Sequence, residues 1–357
     1  MGFFNMKDIL KVVFVIIGTL IGAGFASGQE VYLFFFSYGI KGLVGIVISS
    51  LLMGIVIHQT LEIVNNYKVK NYKDFLEVFI KQKRGEKYFN LKNIINIVIN
   101  TFILVTFFIM IAGFGAYFEQ ELGINRLIGS ILLAILSFII FMTSVKGVVK
   151  ANEVLVPILI LFITIIGILN LREINLWQLE NYLMRTNQSS YMLSSILYAS
   201  YNSILLIPVL ITLKDYIRHK KQIKSIAMIT VGITILLSVI IFLLLAKVEV
   251  DITQLEMPAV YVVSNMFKFL RVVYGFIILG SIFTTSISLG NSFLQNTSKN
   301  RKSYTPIALS MCITAVLVSK IGFSNLINSL YPIFGYLGLI QIVALIFKKQ
   351  IRNIVNE

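Results

Sequence analysis

Ten apolar stretches separated by polar links set the pattern of this chain, near residues 9–38, 42–64, 93–117, 127–145, 154–169, 191–213, 223–246, 269–293, 305–319 and 323–347. A helix rises 1.5 Å per residue and a bilayer core is about 30 Å thick, so each stretch reads as a membrane crossing. The pattern predicts an all-α membrane protein with ten transmembrane helices. The longest polar link, 65–92, contains Asn71-Tyr-Lys-Asp-Phe-Leu-Glu-Val-Phe-Ile80, whose apolar residues recur at helical spacing. It is expected to form an amphipathic helix lying on the membrane surface.

The first stretch is interrupted by Gly18-Thr-Leu-Ile-Gly-Ala-Gly-Phe-Ala-Ser-Gly-Gln-Glu30. Each glycine in such a run disfavours a helix interior by roughly 0.8–1.0 kcal/mol relative to alanine. The apolar flanks are each about half a bilayer long, which predicts one crossing made of two half-helices. Backbone freed from a helix inside a bilayer must find partners. Carbonyls at the end of the first half-helix suit a cation, and N–H groups at the start of the second suit an anion. A plain glycine-rich helix packed closely on its neighbours is the competing reading.

Ten crossings divide into five and five, residues 1–170 and 171–357. Five is odd, so a second copy of the unit enters the membrane from the opposite side, as an inverted repeat. By that symmetry the sixth crossing should also be discontinuous, and Tyr198-Ala-Ser-Tyr-Asn-Ser203, with Pro208 behind it, falls near its middle. This makes Tyr198, Tyr201, Asn202 and Ser203 candidate substrate-binding residues.

Composition agrees with a polytopic membrane protein, at 57% hydrophobic and 13% charged residues. The net charge of +15 lies in the links: with the N-terminus inside, 23 of the 31 Lys and Arg residues fall on the cytoplasmic side. That is the positive-inside pattern, not a nucleic-acid surface, and it puts both termini in the cytoplasm. A single cysteine, Cys312, excludes a disulfide framework, and His58 and His219 form no metal-binding motif.

In the eighth crossing Ser281, Thr284, Thr285 and Ser288 follow at i, i+3, i+4 and i+7, so their hydroxyls share one helix face. Such a stripe is either packing surface, with hydroxyls bonded back to the preceding turn, or a source of neutral oxygens for a small monovalent cation. Zinc or a redox metal would need nitrogen, sulfur or carboxylate ligands. Glu30, a carboxylate in the core of the first crossing, is a candidate for binding a proton or a cationic group. The alternative is a capping box formed by Ser27-Gly-Gln-Glu30.

With these residues in place the chain resembles, along nearly its whole length, the YkvI-type family of bacterial membrane proteins, whose first crossing reads very like GTLIGAGFASGQE here. More distantly it resembles the LeuT-fold (amino acid–polyamine–organocation) transporters. GTLIGAGF at Gly18–Phe25 lines up with their GNAVGLGN-type broken first helix, and Thr284-Thr-Ser-Ile-Ser288 with their eighth-helix Thr-Ser-Ser pattern. The resemblance implies a sodium site formed by the carbonyls of Gly18, Ile21 and Ser281 and the hydroxyls of Thr284 and Thr285. It also implies that the amides of Ala23 and Gly24 face the anionic end of a substrate. Phe25 and Gly28 depart from the pattern, standing where the sodium-coupled amino acid branch has a metal-binding Asn and a gating Arg.

The expected function is therefore sodium- or proton-coupled symport of a small organic solute, such as an amino acid or related amine, in the bacterial plasma membrane. Alternating access would come from rocking crossings 1, 2, 6 and 7 against the rest. The alternative is a membrane nutrient sensor, like a germinant-receptor subunit, that binds a solute without moving it. No Ser/His, Asp/Asp or metal-ligand set falls within the crossings, so no enzymatic activity and no cofactor are expected beyond sodium as coupling ion.

Overall fold

The computed structural model describes residues 6–69, 72, 74–75, 78, 89–142, 146–171, 190–217, 219–248, 251–266, 268–298 and 301–355, and every regular element among them is helical. The chain opens with three short helices in series, α1 (Met6–Leu20), α2 (Ala23–Ala26) and α3 (Gln29–Phe34). Next come α4 (Ile40–Tyr67), α5 (Phe89–Leu122), α6 (Arg126–Met142), α7 (Lys146–Leu171), α8 (Tyr191–Thr212) and α9 (Lys220–Leu245). A short helix α10 (Pro258–Met266) precedes α11 (Lys268–Thr297), α12 (Arg301–Val318) and α13 (Phe323–Val355). The amphipathic helix expected over 71–80 lies mostly outside the described residues.

Among the described residues seven helices, α4, α5, α8, α9, α11, α12 and α13, are long and apolar enough to cross a membrane; α6 and the 156–169 part of α7 are shorter and apolar. Their surface chemistry is that of helices in lipid. On α6, Ile128, Ile131, Leu132, Ile135 and Ile139 face outward, while Gly129, Ser130, Ala134 and Ser137 are buried. Large apolar side chains thus meet the surroundings and small ones meet the neighbouring helix, which lets backbones approach closely. The outward faces of α12 (Leu309, Ile313, Leu317) and α13 (Ile333, Leu337, Ile340) continue the same belt. The chain is a multi-pass membrane protein.

At the centre of the bundle lie the opening segment and α8. The first of these, α1, packs against α7, α8, α9 and α11, and α8 is clasped between α4 and α13. Residues 15–31 are all buried.

The break expected in the sixth crossing is absent: α8 runs unbroken from Tyr191 to Thr212, through both Tyr198–Ser203 and Pro208. The reason is local. Ser200 donates its hydroxyl to the Ile196 carbonyl at 2.7 Å, Asn202 its side-chain amide to the Tyr198 carbonyl at 3.0 Å, and Ser203 its hydroxyl to the Ser200 carbonyl at 2.7 Å. The polar side chains that suggested a break are satisfied by the helix itself. No glycine lies in α8 to favour unwinding.

One contact fixes α8 against α13. A Cβ added to Gly338 would lie 2.6 Å from the Ser200 carbonyl carbon, so the two backbones touch there. Gly338→Ala is expected to force the helices apart and destabilise the protein by about 1–3 kcal/mol. Gly232→Ala on α9, where an added methyl meets nothing within 4 Å, should be neutral or stabilise by up to about 1 kcal/mol. Thermal melts of the two variants in detergent check the pair; equal melting would show that the α8–α13 approach is not tight.

Candidate functional site

The break in the opening segment is built residue by residue. The N–H of Ile21 still bonds back to the Ile17 carbonyl at 2.8 Å, but Gly22 is extended (φ −85°, ψ −166°) and ends the ladder. One helical turn, α2, follows. Gly28 then adopts φ +87°, a left-handed conformation that L side chains rarely take, and redirects the chain into α3.

This manoeuvre frees carbonyls in an apolar interior, and neighbouring elements supply the donors. Thr285 donates its hydroxyl to the Gly18 carbonyl at 3.1 Å, and Ser281 donates its hydroxyl to the Ile21 carbonyl. Tyr274 donates to the Ala26 carbonyl at 2.6 Å, and the Ala259 N–H at the start of α10 donates to the Ser27 carbonyl at 2.8 Å. Ser194 of α8 serves the Phe34 carbonyl at 2.8 Å, and in the opposite direction the Gln29 side-chain amide of α3 donates to the Leu255 carbonyl at 2.5 Å. Helix α11 therefore provides three of these donors and the α10 region a fourth.

All five residues expected to hold a cation come together between the end of α1 and the middle of α11. Ser281, Thr284 and Thr285 are buried, and Thr284 donates to the Ser281 carbonyl at 3.0 Å. Gly18, Ile21, Ser281 and Thr284 border a cavity of about 120 Å³ whose remaining wall is apolar, with Val156 and Leu159 of α7 and Phe276 and Ile277 of α11. Every polar atom these five residues present is a neutral oxygen or a main-chain amide. Ser288, at the end of the stripe, is turned back to the Thr284 carbonyl at 2.9 Å.

The second constellation gathers around Glu30, which is 4% exposed. Its carboxylate accepts the Tyr201 hydroxyl. It lies over Gly24, where an added Cβ would sit 2.8 Å from Glu30 Cγ and 2.9 Å from Cδ. The capping box does not form, because the N-cap of α3 is Gly28 with no side-chain cap, and Ser27 Oγ instead accepts the Gln29 N–H at 3.3 Å. Among the described residues no cation is paired with Glu30.

Aromatic rings wall this carboxylate. Tyr201 stacks on Tyr331 with centroids 4.6 Å apart and on Phe34 at 5.4 Å, and it meets Tyr198 edge-on at 5.4 Å. The Tyr198 hydroxyl, beside Asn202 and Tyr201, is in hydrogen-bonding geometry with no described atom. Asn202 and Ser203 are buried in the same region, with their donors spent on their own helix. Ala23 and Gly24 are buried as first-turn residues of α2, whose amides have no intrahelical partner.

Four features here are not evident from the sequence reading. Tyr331 precedes Pro332, through which α13 continues, and carries no other mark in the sequence. Phe102, edge-on to both Tyr201 and Tyr331, carries no distinguishing pattern. Tyr274 is one apolar-face aromatic among many. Helix α10 falls in what reads as a polar link, yet Pro258 at its first position is the usual mark of a helix start.

Comparison with known proteins follows the same lines. No family model matches the chain. It is 31% identical over 354 residues to the uncharacterized membrane protein YkvI of Bacillus subtilis (strain 168), covering 96% of each chain. It is 27% identical over 344 residues to the uncharacterized protein YyaD of the same organism, covering 94% of this chain and 96% of the relative. Among solved structures it is similar to MhsT in complex with L-phenylalanine, with TM-score 0.68 and 15% identity over 93% of this chain and 87% of that one. The Eremococcus coleocola manganese transporter gives TM-score 0.64 and 15% identity over 97% and 80% of the two chains. A Na⁺-coupled sialic acid symporter gives TM-score 0.59 and 11% identity over 92% and 75%. At such identities the likeness is one of fold, that of the LeuT-type membrane transporters. Identity above 30% along nearly the full length of both chains places this protein in the YkvI family of membrane proteins.

Proposed function

We propose that this protein is a secondary active transporter of the bacterial plasma membrane, moving a small organic solute together with sodium by alternating access. The broken first segment and the two shorter apolar helices join the seven long ones to make ten crossings, arranged as inverted units 1–170 and 171–357 with both termini in the cytoplasm. The observation that carries the reading is the meeting of the freed Gly18 and Ile21 carbonyls with Ser281 and Thr285 beside a small cavity. Carbonyl and hydroxyl oxygens each have a second lone pair, so the oxygens now joined by hydrogen bonds can also face an ion. Their lack of full charge suits a monovalent cation over a divalent one, which usually recruits carboxylates.

Solute and ion would be neighbours, because the sodium oxygens and Glu30 lie on either side of the single turn α2. Binding at one end of so short an element biases its position at the other, which is the coupling a symporter needs. Moving one positive charge inward through about 100 mV supplies roughly 2.3 kcal/mol, enough for nearly 50-fold accumulation before any sodium gradient is counted.

Purified protein is expected to melt at a higher temperature in sodium chloride than in potassium or choline chloride. Thr284→Ala and Thr285→Val should each raise the sodium concentration needed for that shift at least tenfold, while costing only about 0.5–1.5 kcal/mol in choline for the lost hydrogen bond. Identical melting of the unaltered protein in all three salts would remove the sodium site.

In proteoliposomes with sodium or choline outside, net positive charge movement should make sodium-dependent solute uptake rise when a potassium diffusion potential sets the interior negative. Uptake that ignores both potential and sodium would leave the fold without this mechanism.

A further inference from the structure

We infer that the solute is a primary or secondary amine carrying no carboxylate next to its nitrogen, and that Glu30 is the group that binds its ammonium. The inference rests on the transport reading for the solute's route, but the binding chemistry is argued from the site alone.

The first turn of α2 offers main-chain N–H groups of the kind that would receive a solute carboxylate. That place is already taken. The Glu30 carboxyl group lies over Gly24 so closely that a β-carbon there would collide with it. The chain thus supplies its own anion where a free amino acid would bring one. A second carboxylate brought to the same turn would have to displace the Glu30 side chain from over Gly24.

What Glu30 lacks is a cation. Its hydrogen-bond partner is a neutral phenol, and among the described residues no Lys, Arg or His is paired with it. A buried carboxylate is stabilised most by a charged donor, and a charge-assisted hydrogen bond is roughly twice as strong as a neutral one. An ammonium fits the walls as well, since a cation is attracted to aromatic faces and Tyr201 and Tyr331 form a stacked pair beside the carboxylate. The buried Tyr198 hydroxyl, which has no hydrogen-bond partner among the described atoms, gives a further N–H an acceptor. A quaternary ammonium has no N–H to offer either oxygen, so the site selects amines that keep at least two N–H donors when protonated.

The test compares ligands that differ by one group, in thermal melts of the full-length protein in detergent with sodium chloride. Phenethylamine is set against phenylalanine, butylamine against norvaline and butyltrimethylammonium, and spermidine extends the amines. Each amine should stabilise the protein at a concentration at least tenfold below that needed for its matched amino acid, and butyltrimethylammonium should give no shift. Glu30→Gln should raise the amine concentration required at least tenfold. If that variant gives no cooperative melt, Glu30→Asp, which withdraws the carboxylate by one methylene, should raise it at least threefold. Amino acids that bind as well as their amines, amines indifferent to either variant, or no shift with any amine would each overturn the inference. Sodium-driven uptake of an amino acid would overturn it while leaving the transport reading intact. Amine binding that depends on Glu30, without sodium-driven uptake, would support it while removing that reading.

Discussion

A main-chain carbonyl without a partner costs several kcal/mol in a medium that has no water to offer, and the architecture is arranged around paying that debt for one short stretch of chain. The helix ladder stops at Gly22, and from there to Gln29 the single turn α2 leaves carbonyls that rely on groups from elsewhere. Those groups come from positions far away in sequence: Ser281, Thr285 and Tyr274 on α11, Ala259 on α10 and Ser194 on α8. The position of α11 against α1 is therefore set by hydrogen bonds to an unwound strand of chain and not by apolar packing alone. In lipid, where helix association gains nothing from excluding water, such bonds are a specific way to fix a register.

Much of this was legible before any coordinates. Gly18, Gly22, Gly24 and Gly28 mark a place where helix is disfavoured, and the stripe at 281, 284, 285 and 288 marks a face of short donors; each signal alone has an ordinary explanation. Only their meeting is informative, and a meeting across some 260 residues has no local sequence signal. Inverted symmetry predicts a break in the sixth crossing that α8 does not have. Polar residues mid-helix were read as a break, but a Ser or Asn whose donor returns to a carbonyl three or four residues back leaves the helix whole. Glycine distinguishes the two cases: it is present at each turn of the opening segment and absent from α8.

The residues around Glu30 illustrate a different limit. Glu30 stands out in the sequence because acids are rare in membrane segments, whereas the aromatic rings around it do not, because aromatics are common there. Phe102 and Tyr331 acquire meaning only when α5 and α13 bring them to Tyr201. The capping-box pattern was also ambiguous by nature. The same Ser27-Gly-Gln-Glu30 could place the carboxylate on its own helix end or send it back over Gly24, and the missing β-carbon of Gly24 is what makes room for the second choice.

The two central elements consequently differ in how they can respond to a ligand. In α8 the donors of Ser200, Asn202 and Ser203 are spent on its own backbone, so an arriving solute gains little by moving that helix. Around α2 the bonds run between elements, and each can be exchanged for a bond to something bound. A cation can take over carbonyls now held by Ser281 and Thr285, and an ammonium can take the place of the Tyr201 hydroxyl on Glu30. In the proposed mechanism ligand energy would be directed to this segment, whose partners are replaceable, while α8 and α13 stay locked backbone to backbone at Ser200 and Gly338.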